Sequence, residues 1–148
     1  MIYRSASEEE TIEIGEQFGK EELHIGDVVA LRGELGAGKT KFTKGIAKAF
    51  GISESEVSSP TFALLNEYPA LFADKSTGEF YHLDCYRFER EDELLELGVE
   101  DYLYPNNAVT VIEWPERIEK YLPAARIEVT IEHVADTKRT ITIHRLTS

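Results

Sequence analysis

The chain has 148 residues, enough for one domain that buries its apolar groups without staples. Its 42% hydrophobic and 30% charged content is that of an ordinary soluble globule, no apolar run reaches membrane-spanning length, and a single cysteine, Cys85, excludes an internal disulfide. The net charge of −12 argues against a protein that grips DNA or RNA by itself, and the opening Met1-Ile2-Tyr3-Arg4-Ser5 has no secretory apolar region, so a cytoplasmic protein without membrane or DNA contacts is expected.

Residues 2–4 read as a short edge strand. Ser7 with Glu10 makes an S-x-x-E capping box, and the helix it opens is predicted over 8–20 with Ile12, Ile14 and Phe18 as its apolar positions. Gly26 breaks the chain before residues 27–32, which read as a buried strand. Residues 39–50 are predicted as a helix with Phe42, Ile46, Ala49 and Phe50 on one face, Lys41, Lys44 and Lys48 on the other, and Gly51 as C-terminal cap. Lys39, Lys41, Lys44 and Lys48 fall in an acid-free stretch and predict a local basic patch. Ser58-Ser59-Pro60-Thr61 is a turn cluster. Strands at 62–68 and 79–83, joined by a turn at 74–78, are expected to form a hairpin. Residues 92–97 read as a short helix carrying Leu94, Leu95 and Leu97, stopped by Gly98, within a strongly acidic stretch that suits a solvated face or a basic protein partner. Residues 108–112 are β-branched and apolar, as a central parallel strand should be, and Pro115 ends that element. Residues 126–132 and 139–144 alternate strictly, which predicts a half-exposed antiparallel pair. The sum is an α/β three-layer fold with a mixed, mainly parallel sheet and antiparallel edge strands, in a single domain spanning 1–148.

The chemistry lies between the first buried strand and its following helix. Residues 33–40 read Gly33-Glu34-Leu35-Gly36-Ala37-Gly38-Lys39-Thr40, a complete G-x-x-x-x-G-K-[ST] motif in its required strand–loop–helix setting. The glycines let backbone N–H groups turn toward one point, the helix adds its positive dipole end, Lys39 brings a charge to the β- and γ-phosphates, and the Thr40 hydroxyl is a Mg²⁺ ligand. A carboxylate at the end of a buried strand must then help hold the metal. Two candidates fit. Asp84 follows residues 80–83, where His82 suits a half-exposed strand, and Glu113 follows the more apolar 109–112. Both stay open. Thr61 sits in the turn where a nucleotide-sensing switch segment would fall. Trp114, beside Glu113, is core or a stacking surface near the site. Cys85 reads as a small buried hydrophobe, and the four histidines lack zinc-like spacing. No arginine-rich lid suggests a small-molecule kinase, and no N-K-x-D motif suggests guanine.

The ordered blocks resemble the TsaE (YjeE) family of small bacterial ATPases over essentially the whole chain. Beyond the phosphate loop these are Ser59-Pro60-Thr61-Phe62 with Asn66-Glu67-Tyr68, His82-Leu83-Asp84-Cys85-Tyr86-Arg87, Glu93-Leu94 with Leu97-Gly98, and Ile112-Glu113-Trp114-Pro115-Glu116. The resemblance implies a P-loop NTPase fold. It also implies an ATPase, weak alone, that supports N6-threonylcarbamoyladenosine formation in tRNA with two partners, TsaD and TsaB, and meets tRNA only through them. By position it assigns Lys39 and Thr40 to phosphate and Mg²⁺, Asp84 to the Walker B aspartate, and Glu113 to a metal-site glutamate. It places Thr61 in a switch-like segment and Thr11 near the nucleotide base. Glu34, Leu35, Gly36, Ala37 and Gly38 complete the ATP-binding loop.

Overall fold

Two buried strands set the frame. In the computed structural model, which describes residues 1–34, 36–57, 65–87, 93–96, 98 and 100–147, Val28–Arg32 and Ala108–Glu113 are inaccessible along almost their whole length. Runs of this kind can only sit where both sheet faces are covered.

In chain order the elements are β1 (Ile2–Ser5), α1 (Glu8–Glu21), β2 (Val28–Arg32), α2 (Lys39–Ala49), β3 (Leu65–Leu71), β4 (Thr77–Asp84), α3 (Glu93–Glu96), α4 (Glu100–Leu103), β5 (Ala108–Glu113), β6 (Ala125–Ala135) and β7 (Lys138–Thr147). Short 3₁₀ turns occupy Glu54–Glu56 and Pro115–Tyr121. The seven strands form one sheet in the order β1-β7-β6-β2-β5-β4-β3. The central pairings β6-β2, β2-β5 and β5-β4 are parallel, and the outer ones, β1-β7, β7-β6 and β4-β3, are antiparallel. The expected mixed sheet with antiparallel edges is therefore present.

Alternation along β2 splits the core. Val29 and Leu31 face a large cluster with Phe18, Phe42, Ile46 and Phe50, beneath α1 and α2. Val28 and Ala30 face a smaller one with Leu83, Cys85, Ile112, Leu103 of α4, and Ile118 and Leu122 of the 3₁₀ turn and its end. Three layers result, as the sequence predicts.

Ser7 caps α1 through its Oγ, which accepts from Glu10 N at 3.1 Å, and Glu10 accepts in return from Ala6 N at 3.2 Å. The buried stripe of α1 is Thr11, Gly15, Phe18 and Gly19, while Ile12 and Ile14 are only half-buried. Of the expected apolar positions Phe18 is buried and Ile14 packs against the core, but Gly15 and Gly19 are buried with them, because α2 approaches so closely that only small residues fit the contact line. A Cβ on Gly45 of α2 would lie 2.1 Å from the Ile12 carbonyl oxygen, and one on Gly15 2.4 Å from that of Phe42.

The hairpin of β3 and β4 forms, with β3 reaching Leu71 through Pro69; a proline is tolerated because β3 is an edge strand. The half-exposed reading of His82 is overturned. Its strand is flanked by β3 and β5, and the side chain is fully buried. Helix α4 lies outside the predicted elements. The turn at 58–61, the start of the first hairpin strand at 62–64, and Asp92 and Leu97 lie outside the described residues, as do the site candidates Leu35 and Thr61.

Candidate functional site

The loop after β2 owes its course to its glycines. Gly36 and Gly38 take φ values of +78° and +108°, in the left-handed region where a side chain costs energy. A Cβ on Gly36 would meet nothing within 4 Å, so the cradle is open above it. Gly38 is the N-cap of α2 and supplies no side chain to cap it. The first N–H groups of that helix are left directed at the opening, with the dipole's positive end behind them.

Lys39, the first residue of α2, turns inward. It is only 6% exposed, and its Nζ has no hydrogen-bond partner among the described residues. Instead the ammonium lies 3.3 Å from the ring centroid of Trp114. Burial pulls this lysine below the ordinary ammonium range, against the opposing pull of Glu113, Glu116 and Asp84. An orphaned buried cation at the mouth of a glycine cradle fits a phosphate group, which would supply the missing acceptors. Thr40, next along the helix, lines the same cleft of about 270 Å³ with Gly36, Gly38, Lys39, Glu113 and Trp114.

Sheet register brings the two carboxylate candidates together. Asp84 and Glu113 are paired positions at the C-terminal ends of the parallel neighbours β4 and β5, and Glu113 is also level with Leu31 of β2, just before the loop. Open α/β sheets place ligands at these strand ends. The Asp84 carboxyl is raised by burial and by the Glu113 charge, while the Tyr86 N–H, donating to Oδ1 at 2.9 Å, lowers it. Glu113 Oε2 is hydrogen-bonded to buried His82 Nε2. Register thus makes Asp84 and Glu113 neighbours at the strand ends.

Among the described residues no group of three or more His, Cys, Asp or Glu side chains converges as a metal site. Two carboxylates and the Thr40 hydroxyl nonetheless match the donors of Mg²⁺, which keeps several waters and takes one or two carboxylates.

Trp114 reaches Lys39 through an unusual backbone. Its φ of +57° and ψ of +49° are left-handed, and Pro115 follows at the start of the 3₁₀ turn. The residue before proline is pushed out of the right-handed α region, and here it turns the ring back over the loop. Tyr86 packs against Trp114 with centroids 4.9 Å apart.

Thr11 lies behind the loop. Its Oγ1 is 2.7 Å from Ser5 Oγ and donates to the Ser7 carbonyl at 3.2 Å, and its methyl is 3.8 Å from where a Gly38 Cβ would stand. Glu34 is exposed at the loop's shoulder and Ala37 buried within it. The predicted basic patch is partly neutralised by α1, through Lys41–Glu8 at 3.7 Å and Lys48–Glu16 at 3.8 Å. Cys85 is buried, and burial pushes its thiol up, which suits an inert core residue. One residue escapes sequence reasoning altogether. Arg139 of β7 donates from Nε to the Ala37 carbonyl at 2.8 Å. Nothing local marks it, since the contact exists only once β7 has joined the sheet.

Strand–loop–helix, buried lysine and strand-end carboxylates define a P-loop-type α/β domain, and the likeness to a solved structure agrees. The crystal structure of Bacillus subtilis YdiB superposes with a TM-score of 0.76 at 32% identity, covering all of this chain and 86% of that one. The family model described as threonylcarbamoyl adenosine biosynthesis protein TsaE matches residues 5–141. Similar relatives are the tRNA threonylcarbamoyladenosine biosynthesis proteins TsaE of Bacillus subtilis, 42% identical over 79% of this chain and 68% of the relative, and of Treponema pallidum, 40% identical over 82% and 84%. That of Rickettsia bellii is 40% identical over 90% and 87%. The chain belongs to the TsaE family, whose role is in tRNA threonylcarbamoyladenosine biosynthesis.

Proposed function

We propose that the protein is a cytoplasmic, Mg²⁺-dependent ATPase that supports N6-threonylcarbamoyladenosine modification of tRNA in complex with TsaD and TsaB proteins. The observation that carries this reading is the buried Lys39 ammonium, without a hydrogen-bond partner among the described residues, at the mouth of the glycine loop and near Asp84 and Glu113. Loop amides and Lys39 bind the phosphate tail and oppose the charge that grows on it during attack by water. Thr40, Asp84 and Glu113 would hold Mg²⁺, which when bound would supply positive charge against the developing phosphate charge. Thr11, behind the loop, borders the base side. Adenine as the base, and the two partners, rest on the family. With a charge of −12 the chain leaves the grip on tRNA to those partners.

Reconstitution tests this. Hydrolysis by the isolated chain is expected to be slow and to rise on titration with TsaD, TsaB and tRNA. Lys39→Ala is expected to cut turnover and repeated tRNA modification by about 100-fold or more, the scale seen when one charge-stabilising donor is lost. Full activity in that variant would refute the site.

A further inference from the structure

Within the described part of the loop that would hold phosphate, Ala37 packs into the core and Glu34 is exposed. Gly36 and Gly38 flank Ala37 in conformations that other residues avoid, and glycine is the residue with most freedom to leave them. A further restraint comes from outside the loop. It comes from the far end of the sequence, 102 residues from Ala37.

Arg139 is the third element in a relay of hydrogen bonds. The turn between β6 and β7 is tied to the segment before α1 by Thr137 Oγ1, which donates to the Ala6 carbonyl at 2.6 Å. The Arg139 guanidinium is set on that turn by its own Nη1, which donates to the Asp136 and Lys138 carbonyls, each at 3.2 Å. With one edge of the fork fixed, the other faces the loop. Nε donates to the Ala37 carbonyl at 2.8 Å and Nη2 to that of Gly36 at 3.3 Å.

Peptide geometry gives this contact its consequence. A carbonyl and the N–H of the next residue point in opposite directions across one planar unit. Fixing the Ala37 carbonyl from behind therefore fixes the direction of the Gly38 N–H on the other side. The Ala37 N–H is itself spoken for, donating to the Glu34 carbonyl at 3.0 Å. Arginine suits the task because its planar fork spans two acceptors and cannot lose its charge.

We propose that Arg139 is a positioning residue of the phosphate-binding loop, which sets the Ala37–Gly38 peptide for a nucleotide's phosphate before the ligand arrives. The proposal rests on the ATP reading above and adds a residue to it.

Calorimetry with MgATP on the full chain, with steady-state hydrolysis and amide exchange of the ligand-free protein, tests it. Arg139→Ala is expected to raise the Kd and KM for ATP by about tenfold or more, with a much smaller change in kcat, since the effect is on preorganisation. Its loop amides at 36–38 should exchange faster without ligand. Arg139→Lys, which keeps the charge and loses the fork, should recover only part of the affinity, and millimolar guanidinium, far below denaturing levels, should recover part of it in Arg139→Ala. Thr137→Val, which loosens the turn that carries Arg139, should shift the Kd in the same direction by less than Arg139→Ala does. If the unaltered chain binds ATP and Arg139→Ala binds it within twofold, or Arg139→Lys binds it fully, the role of the fork is overturned and the ATP reading stands. If the unaltered chain itself gives no heat with MgATP, the ATP reading fails and takes this role with it. Should Arg139→Ala not fold, Arg139→Lys decides alone.

Discussion

Lys39 carries its charge into a place where burial penalises it, and the face of Trp114 is its compensation there. A phosphate is a stronger partner for an ammonium than an aromatic ring is, so a ligand should draw Nζ away from the indole. Trp114 is the one tryptophan of the chain, which makes the exchange directly visible. Titration with MgATP is expected to change its emission, and the same titration of Lys39→Ala should change it far less; an equal response in both would sever the link between the contact and the ligand. The glycines, Lys39 and Thr40 were legible in the sequence because the motif concentrates their chemistry in eight consecutive positions. Asp84 and Glu113 were legible as strand-end acids, though not as a pair, since pairing is a matter of register between β4 and β5. His82 was misjudged because polarity suggested exposure. Its Nε2 has Glu113 Oε2 as partner in the interior, while its Nδ1 is buried with no hydrogen-bond partner among the described residues. Arg139 was invisible, as its acceptors are backbone carbonyls that carry no side-chain signature.

At the scale of elements, the contact of α1 with α2 decides where the loop's helix stands. Hydrophobicity marked Ile12, Ile14 and Phe18 on α1; Phe18 is buried and Ile14 packs against the core, yet Gly15 and Gly19 share the buried stripe. A hydrophobic pattern reports burial energy, and here distance of approach matters more: backbone meets backbone across Gly15 and Gly45. The helix ends were easier to read, because Ser7 and Gly51 act locally, one as side-chain acceptor and the other through a φ of +78°. Gly45→Ala puts a methyl group 2.1 Å from the Ile12 carbonyl oxygen, and that atom belongs to rigid helix backbone. The helices must separate, so a loss of about 2–4 kcal/mol is expected, at the upper end of overpacking effects. Thermal or urea unfolding measures it. A helix propensity gain from Ala over Gly of about 1 kcal/mol works in the other direction, so a variant as stable as the parent would show that the helices do not meet along this line.

Over the whole molecule, the sheet joins distant parts of the sequence in one row, with the chain's start on its end and the strand–loop–helix unit near its middle. The alternating strands at the C-terminus were legible as a hairpin, but their docking beside β2 was not, for alternation says which face is wet and nothing about the neighbour. That docking has an ionic seam. Arg32, the last residue of β2, donates from Nη2 to Glu119 at 3.0 Å and to Glu128 of β6 at 3.2 Å, and Arg126 donates to Glu128 as well. Burial pushes the Glu128 carboxyl up, but hydrogen bonds from Arg32 and Arg126, with their charges, outweigh this and hold it below the usual range. A carboxyl whose pKa is lower in the folded chain binds fewer protons there than in the unfolded chain over the interval between the two values. Its contribution is therefore complete above the ordinary carboxylate pKa and is lost as pH falls through the depressed one. Glu128→Gln should then cost about 1–3 kcal/mol near neutral pH, as expected for charge-assisted hydrogen bonds. The difference between variant and parent should shrink as the pH is lowered through the acidic range. Denaturant unfolding of both proteins at a series of pH values measures that difference directly, and a gap that stays constant down to the acid limit would mean that Glu128 gains nothing from its two arginines.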